Sequence, residues 1–364
     1  MIILTKGQLI LADGTVFYGQ LFGAKQAIQG EVVFNTSMTG YQEILTDPAY
    51  YGQIIMFTTP TIGSYGINRD DFETITPFAS GIIVKELSDE PSNFRNEETL
   101  ENFLQSYEMT GISGIDTRQL MRHLQMNGTM NGTITQAVSE EETAQIVNKL
   151  QEHLEINSVE QTSIAKPYVV PGRGKRIVLI DLGMKHGILR ELTKRDCHVT
   201  VVPYNYTAEE ITRLKPDGIL LSSGPGNPLS VKETIHTVKE LKEQLPIFGI
   251  GLGHQILAIA HGATVKKSKT GYRGTSYPVK QLATNQTVMT TQNNNYLVSE
   301  ERLADINLEI THINLHDQTI AGLKHKHLPL FSVQFYPEGS PGPEDSIHLF
   351  DHFLQLIANR KREG

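Results

Sequence analysis

Residues 247–260 read IFGIGLGHQILAIA. Ile247–Ile250 is a short apolar run, Gly251-Leu252-Gly253 interrupts it, and a helix is predicted from about His254 to Ala260. A buried strand that stops on a glycine turn and restarts as a helix is the unit from which parallel sheets are wound. The same rhythm extends backwards. Arg176–Asp181 (RIVLID) is a continuous apolar run, as a strand buried on both faces requires. A helix follows at His186–Lys194, a strand at Val199–Pro203, a helix at Ala208–Leu214 and a strand at Gly218–Ser222. Val231–Gln244 carries Val231, Ile235, Val238 and Leu241 on one helical face. This alternation predicts an α/β domain with a doubly wound parallel sheet, in which ligands sit at the carboxyl ends of the strands. Gly224-Pro225-Gly226 and Gly251-Leu252-Gly253 both fall at such ends.

Before this domain the rhythm differs. Gln8–Leu11 and Thr15–Tyr18 flank Ala12-Asp13-Gly14, a hairpin signal, and Glu31–Asn35 alternates as a further strand. Helices are predicted at Asp116–Met126 and Glu140–Leu154. Ser139 and Glu142 have capping-box spacing, each satisfying an orphan amide of the first turn. Residues 1–165 therefore read as a β-rich mixed N-terminal domain. Lys166–Lys175 (KPYVVPGRGK) reads as a linker, and residues 176–364 as the wound domain, whose final stretch returns to shorter strands and closes with a helix bearing Ile347, Phe350, Leu354 and Ile357 on one face.

Composition narrows the function classes. Of 364 residues, 39% are apolar and 20% charged, an ordinary globular balance. Net charge is −8, so no basic footprint points to nucleic acid. Apolar runs fall short of the ~20 residues of a membrane helix. The opening MIILTKGQLILADG has no secretory pattern, so a cytoplasmic chain is expected. One Cys excludes an internal disulfide framework. No metal site is expected either: the 13 His are scattered, and His348/His352 lack a third convergent ligand.

Several motifs together resemble one family. FGIGLGHQ (248–255) resembles the FGICLGHQ nucleophile turn of triad-type, class I glutamine amidotransferases. SSGPGNP (222–228) resembles their SNGPGDP loop, and QFYPE (334–338) their Q-[FY]-H-P-E. EVVFNTSMTGYQEILTDPAY (31–50), GSYGINRDDFE (63–73), GIDTRQL (114–120) and GRGKRIVLIDLGMKHGILREL (172–192) resemble the small subunit of carbamoyl-phosphate synthetase. The resemblance implies a class I glutamine amidotransferase-like second domain. It also implies a large-subunit partner that combines ammonia with bicarbonate, using ATP, to make carbamoyl phosphate. This chain has no G-x-x-x-x-G-K-[ST], so no cofactor is expected on it and nucleotide chemistry falls to the partner.

In that family a Cys thiolate attacks the glutamine amide, a His moves the proton and a Glu orients the His. Carried over residue by residue, the nucleophile position is Gly251, the base position is Tyr336, and only the orienting Glu338 is retained. Glycine forms no acyl-enzyme, and a phenol of ordinary pKa about 10 is a poor acceptor of a thiol proton. Removing the nucleophile of a comparable triad costs on the order of 10⁶ in turnover. Cys197 and His198 point to opposite faces of a strand and form no substitute dyad. Ser222 and Ser223 are assigned to local hydrogen bonding, and His254 to the helix start or to a supporting position.

The glutamine-contacting positions carried over are Ser37, Gly224, Gly226, Leu252, Gln255, Asn293, Asn295 and Tyr296. Asn227, Tyr272 and Asn294 depart from the family pattern. Asn295 replaces a Gly. It is expected to tolerate the positive φ but to crowd the ligand, so L-glutamine is expected to bind poorly. Three functions follow. The first is a carbamoyl-phosphate synthetase small subunit with a silent glutaminase, serving arginine or pyrimidine synthesis. The second is a working glutamine-hydrolysing subunit, and the third a glutamine-sensing regulatory subunit.

Overall fold

The computed structural model describes residues 5–151 and 157–363, the last three as backbone only. The chain divides into two units, 1–156 and 157–364. In the first, β1 (Thr5–Leu11) and β2 (Val16–Gly23) form the expected hairpin, with Asp13 Oδ1 accepting from the Thr15 amide at 3.0 Å. There follow β3 (Ile28–Asn35), α1 (Tyr41–Leu45), β4 (Gln53–Phe57), β5 (Thr61–Ile62), β6 (Gly81–Ile83) and β7 (Glu86–Leu87). Then come α2 (Leu100–Ser106), β8 (Thr110–Ser113), α3 (Thr117–Asn127), β9 (Met130–Gln136) and α4 (Glu140–Leu150). Seven strands close into a barrel in the order β1-β2-β8-β6-β4-β3-β9. Neighbouring residues of its strands feed two different cores. Val32, Ile54 and Ile83 pack with Leu120 and Leu124 of α3, whereas Val33, Ile55 and Ile82 pack with Leu100 and Phe103 of α2. The Ser139–Glu142 capping box is present. The helix ends at Leu150 with Gln151 as its C-cap, short of the expected extension, whose residues 152–154 lie outside the described residues.

The second unit begins earlier than the sequence suggests. Residues 157–175 carry α5 (Ser158–Thr162) and β10 (Tyr168–Val170), an edge strand antiparallel to β12 (His198–Pro203). The prolines and glycines read as a linker thus flank a strand, since an edge tolerates residues without a ladder donor. The remaining elements are β11 (Arg176–Asp181), α6 (His186–Lys194), α7 (Ala208–Arg213), β13 (Gly218–Leu221), α8 (Lys232–Leu241), β14 (Ile247–Ile250) and α9 (Leu252–Ala260). They are followed by β15 (Val265–Gln281), β16 (Thr287–Val298), β17 (Leu308–Asn314), β18 (Ile320–His325), β19 (Leu330–Val333) and α10 (His348–Glu363).

β12-β11-β13-β14-β19 are parallel, and β18-β17-β15-β16 extend the sheet antiparallel. Helices cover both faces of this ladder. Ile177 and Leu179 pack with α6 and α10, while Val178 and Ile180 pack with α7, α8 and α9. This is why RIVLID is apolar throughout.

Two buried histidines, His254 and His312, and the half-buried His261 make this unit acid-sensitive. Burial, and then neighbouring His312, pushes His254 down to about 3. Burial likewise brings His312 and His261 to about 4. Below its ordinary pKa of about 6.5 the unfolded chain binds protons that the folded one refuses. Stability, complete above that pH, is therefore expected to fall between pH 6.5 and 4, by on the order of 3 kcal/mol for any one of these residues. Urea unfolding at pH 7 and 4.5 measures it. A midpoint unchanged between the two would contradict the assignment.

Candidate functional site

Four neighbouring parallel strands end on the residues that matter. β11 runs into Lys185, β13 into Ser222-Ser223-Gly224, β14 into Gly251, and β19 into Tyr336 and Glu338. The chain leaves β11 for β12 on one side and crosses to β13 on the other. The cluster therefore stands at the switch point where wound sheets bind ligands.

The turn at Gly251 sets the geometry. Its φ of 58° and ψ of −110° hold the residue outside the helical region, and α9 starts at the next residue, Leu252. The helix thus begins two residues before the predicted start, because Gly251 itself is the N-cap. The Gly251 amide donates to the Val333 carbonyl at 2.9 Å, and the Gly253 amide to that of Ser222 at 3.0 Å. A Cβ built on Gly251 would lie 3.3 Å from Ser223 Cβ and 3.4 Å from Tyr336 Cε1. A side chain here needs Ser223 and Tyr336 to give by a few tenths of an ångström, and the positive φ strains any L residue. Gly224 differs, since a Cβ there would lie 2.0 Å from the Leu182 carbonyl oxygen.

Tyr336 is buried, its amide donating to the Thr291 carbonyl at 2.9 Å. Lys185, which sequence reasoning missed, completes this corner. Its side chain is wholly buried, with Nζ 3.4 Å from Glu338 Oε1 and 4.4 Å from the centre of the Tyr336 ring. The same ammonium donates to the Gly339 carbonyl at 2.7 Å. The loop presenting it is pinned by Asp181, which accepts amides from Ile164, Gly183 and Met184 at 2.7–2.9 Å. Burial raises the Asp181 carboxyl pKa, and these amides oppose that shift. The available signal was positional: Lys185 opens a helix just beyond the carboxyl end of a buried strand.

Gln255 reaches one other glutamine-contacting position carried over from the resemblance, Tyr296. From α9 its Nε2 donates to the Tyr296 carbonyl at 2.9 Å and to Gln334 Oε1 at 3.1 Å. Asn294 Nδ2 donates to the same Tyr296 carbonyl at 3.1 Å. Asn293, Asn295 and Tyr296 all lie within β16. Asn295 does not adopt the positive φ allowed for it; it lies in β16 at an irregularity of the pairing with β15, and its Oδ1 accepts from Arg273 Nη2. Gly226 keeps a positive φ of 86° beside Ser158. Leu252 packs near Gly224. Ser37 belongs to the first unit, where its amide donates to Asn35 Oδ1 at 2.7 Å and its carbonyl accepts from Thr59 Oγ1 at 2.7 Å.

The other candidates resolve as follows. Ser222 Oγ accepts the Leu182 amide and donates to the Ser223 carbonyl, the local bonding expected of it. The buried Ser223 Oγ has no hydrogen-bond partner among the described residues, contrary to that expectation. His254 is buried against Ser332 Oγ at 2.8 Å. Cys197 is buried, which pushes its thiol up to about 11. Among the described residues no group of three or more His, Cys, Asp or Glu is arranged to hold a metal, and no helix is long and apolar enough to cross a membrane.

Comparison with known proteins agrees with this two-part architecture. Residues 9–134 match the carbamoyl-phosphate synthase small chain, CPSase domain, and residues 178–356 match glutamine amidotransferase class-I. A carbamoyl phosphate synthase small chain from Oceanobacillus iheyensis is 54% identical over 99% of this chain and 98% of its own length. The carbamoyl phosphate synthase pyrimidine-specific small chain of Bacillus subtilis is 54% identical over the same shares. A solved structure, a glutamine amidotransferase from Thermotoga maritima, covers 52% of this chain and 85% of its own at 16% identity, with a TM-score of 0.37. The chain therefore belongs to the carbamoyl-phosphate synthase small chain family.

Proposed function

We propose that this chain is a small subunit whose own glutaminase is silent, and that it supports a large, ATP-using subunit fed by free ammonia. One observation carries the reading: the turn that should present a nucleophile presents a hydrogen atom at Gly251, with the edge of a phenol beside it. Gly251, Tyr336 and Glu338 are then the relics of a triad, and Glu338 has a buried ammonium for company. ATP and bicarbonate bind the large subunit in a cytoplasmic heterodimer, and the carbamoyl phosphate formed serves arginine or pyrimidine synthesis. Retaining the small subunit without its chemistry makes it a scaffold for that partner.

The competing reading, a working glutamine-hydrolysing subunit, draws on the whole-length likeness to small chains. A glutamine sensor draws on the retained Gly224, Gly226, Leu252 and Gln255, but the Asn295 side chain opposes it. The purified pair assayed with each nitrogen donor separates them. Ammonium is expected to support synthesis, and glutamine freed of ammonia to support less than about a thousandth of that rate. Comparable rates with the two donors would end the proposal.

A further inference from the structure

The two units differ in charge and in what they expose. Residues 1–156 hold 8 Lys+Arg against 20 Asp+Glu, a net −12; residues 157–364 hold 24 against 20, a net +4. Among the described residues the large apolar side chains most open to solvent, Tyr18, Met38, Ile75, Phe94 and Met126, all lie in the acidic unit. None in the other unit is more than 52% exposed. Single exposed hydrophobes are ordinary. Phe94 is not ordinary, because at 94% exposure it stands on a fixed support.

It occupies the second position of a turn in which the Asn96 amide donates to the Asn93 carbonyl at 3.1 Å and the Arg95 amide to Asn93 Oδ1 at 2.9 Å. Backbone bonds Ser92–Ser64, Glu97–Ile67 and Ile67–Glu98 anchor both ends. The ion pairs Arg69–Glu97 at 2.8 Å and Arg95–Asp71 at 3.4 Å tie the turn to the segment leading to Ile75. An aromatic held open in this way loses little entropy on docking, which is how an interface anchor gains affinity. Carboxylates surround it in sequence: Glu86, Asp89, Glu90, Glu97 and Glu98. Burial and then adjacent Glu97 push the Glu98 carboxyl pKa up, and a basic partner would favour its charged form.

We infer that the Phe94 turn, with Ile75, is the anchor by which this chain docks the large subunit, entering an apolar pocket rimmed by Lys and Arg. The inference rests on the proposed subunit role and names its surface. The test uses the full chain and its large subunit, with affinity read by calorimetry. Phe94→Asp with Ile75→Asp is expected to weaken Kd by more than about tenfold, with the melting temperature unchanged because both side chains are exposed. Asp89→Asn with Glu90→Gln is expected to slow association, leave dissociation unchanged and reduce the salt dependence of the on-rate. An unchanged Kd in the Phe94/Ile75 variant overturns the inference. So does loss of self-association with large-subunit affinity intact, which would make a second copy the occupant. A wild-type chain that fails to bind the large subunit overturns the subunit role itself, and the named occupant with it.

Discussion

The chain carrying both Gly251→Cys and Tyr336→His is expected to hydrolyse glutamine on the order of 10³-fold faster than the unaltered chain, while either single variant stays at background. The backbone needed is in place, with the turn at φ 58° and ψ −110° and α9 running on from it. A thiol on Gly251 would project beside Ser223 and Tyr336, 3.3 and 3.4 Å from its Cβ. Replacing the phenol with a smaller imidazole relieves the second contact and supplies the proton acceptor. A nucleophile and its base act as a unit, so the gains are not additive. The cysteine at positive φ is expected to cost on the order of 1–3 kcal/mol in stability, the strain that Gly251 avoids. Ammonia release from glutamine measures the rate. Full activity from Gly251→Cys alone would show that another residue already serves as base.

Lys185→Met is expected to destabilise the second unit by about 3–5 kcal/mol. The substitution keeps the packing volume and removes the positive charge that stands beside the buried Glu338 carboxylate. It also strips the donor to the Gly339 carbonyl and the cation over the Tyr336 ring. The companion variant, Lys185→Met with Glu338→Leu, removes both charges and is expected to recover most of the loss, because a buried pair gains little over apolar replacements. Chemical denaturation of the single variants and the double gives the coupling energy. Additive losses would mean that the two groups do not depend on each other, and that Glu338 persists for a reason other than this pair.

What the residues announced beforehand, and what they did not, follows from the range of the forces involved. The run Ile177–Ile180 and the Gly-rich turn at 251–253 carry their structure locally, through continuous apolarity and backbone freedom. The wound parallel sheet followed from them, though its strand order was not read. The barrel did not, because β9 returns to pair with β1 more than a hundred residues away and no local pattern encodes that closure. The β15–β16 hairpin was read only as shorter strands, since VKKSKTGYRGTSYPVKQ is polar and glycine-bearing and extends only because β16 and β17 pair with it. Asn295 was allowed a positive φ that it does not adopt within β16. Lys185 reads as a surface residue in isolation; the carboxylate and the ring that bury it come from a loop about 150 positions downstream.

The central claim, that no ammonia is made on this chain, is tested most directly by following nitrogen. The purified pair would be given amide-¹⁵N glutamine together with unlabelled ammonium, and the carbamoyl phosphate analysed by mass spectrometry. Product carrying only unlabelled nitrogen is the expected result. Labelled product, at a level that falls when the small chain is left out, would contradict the account.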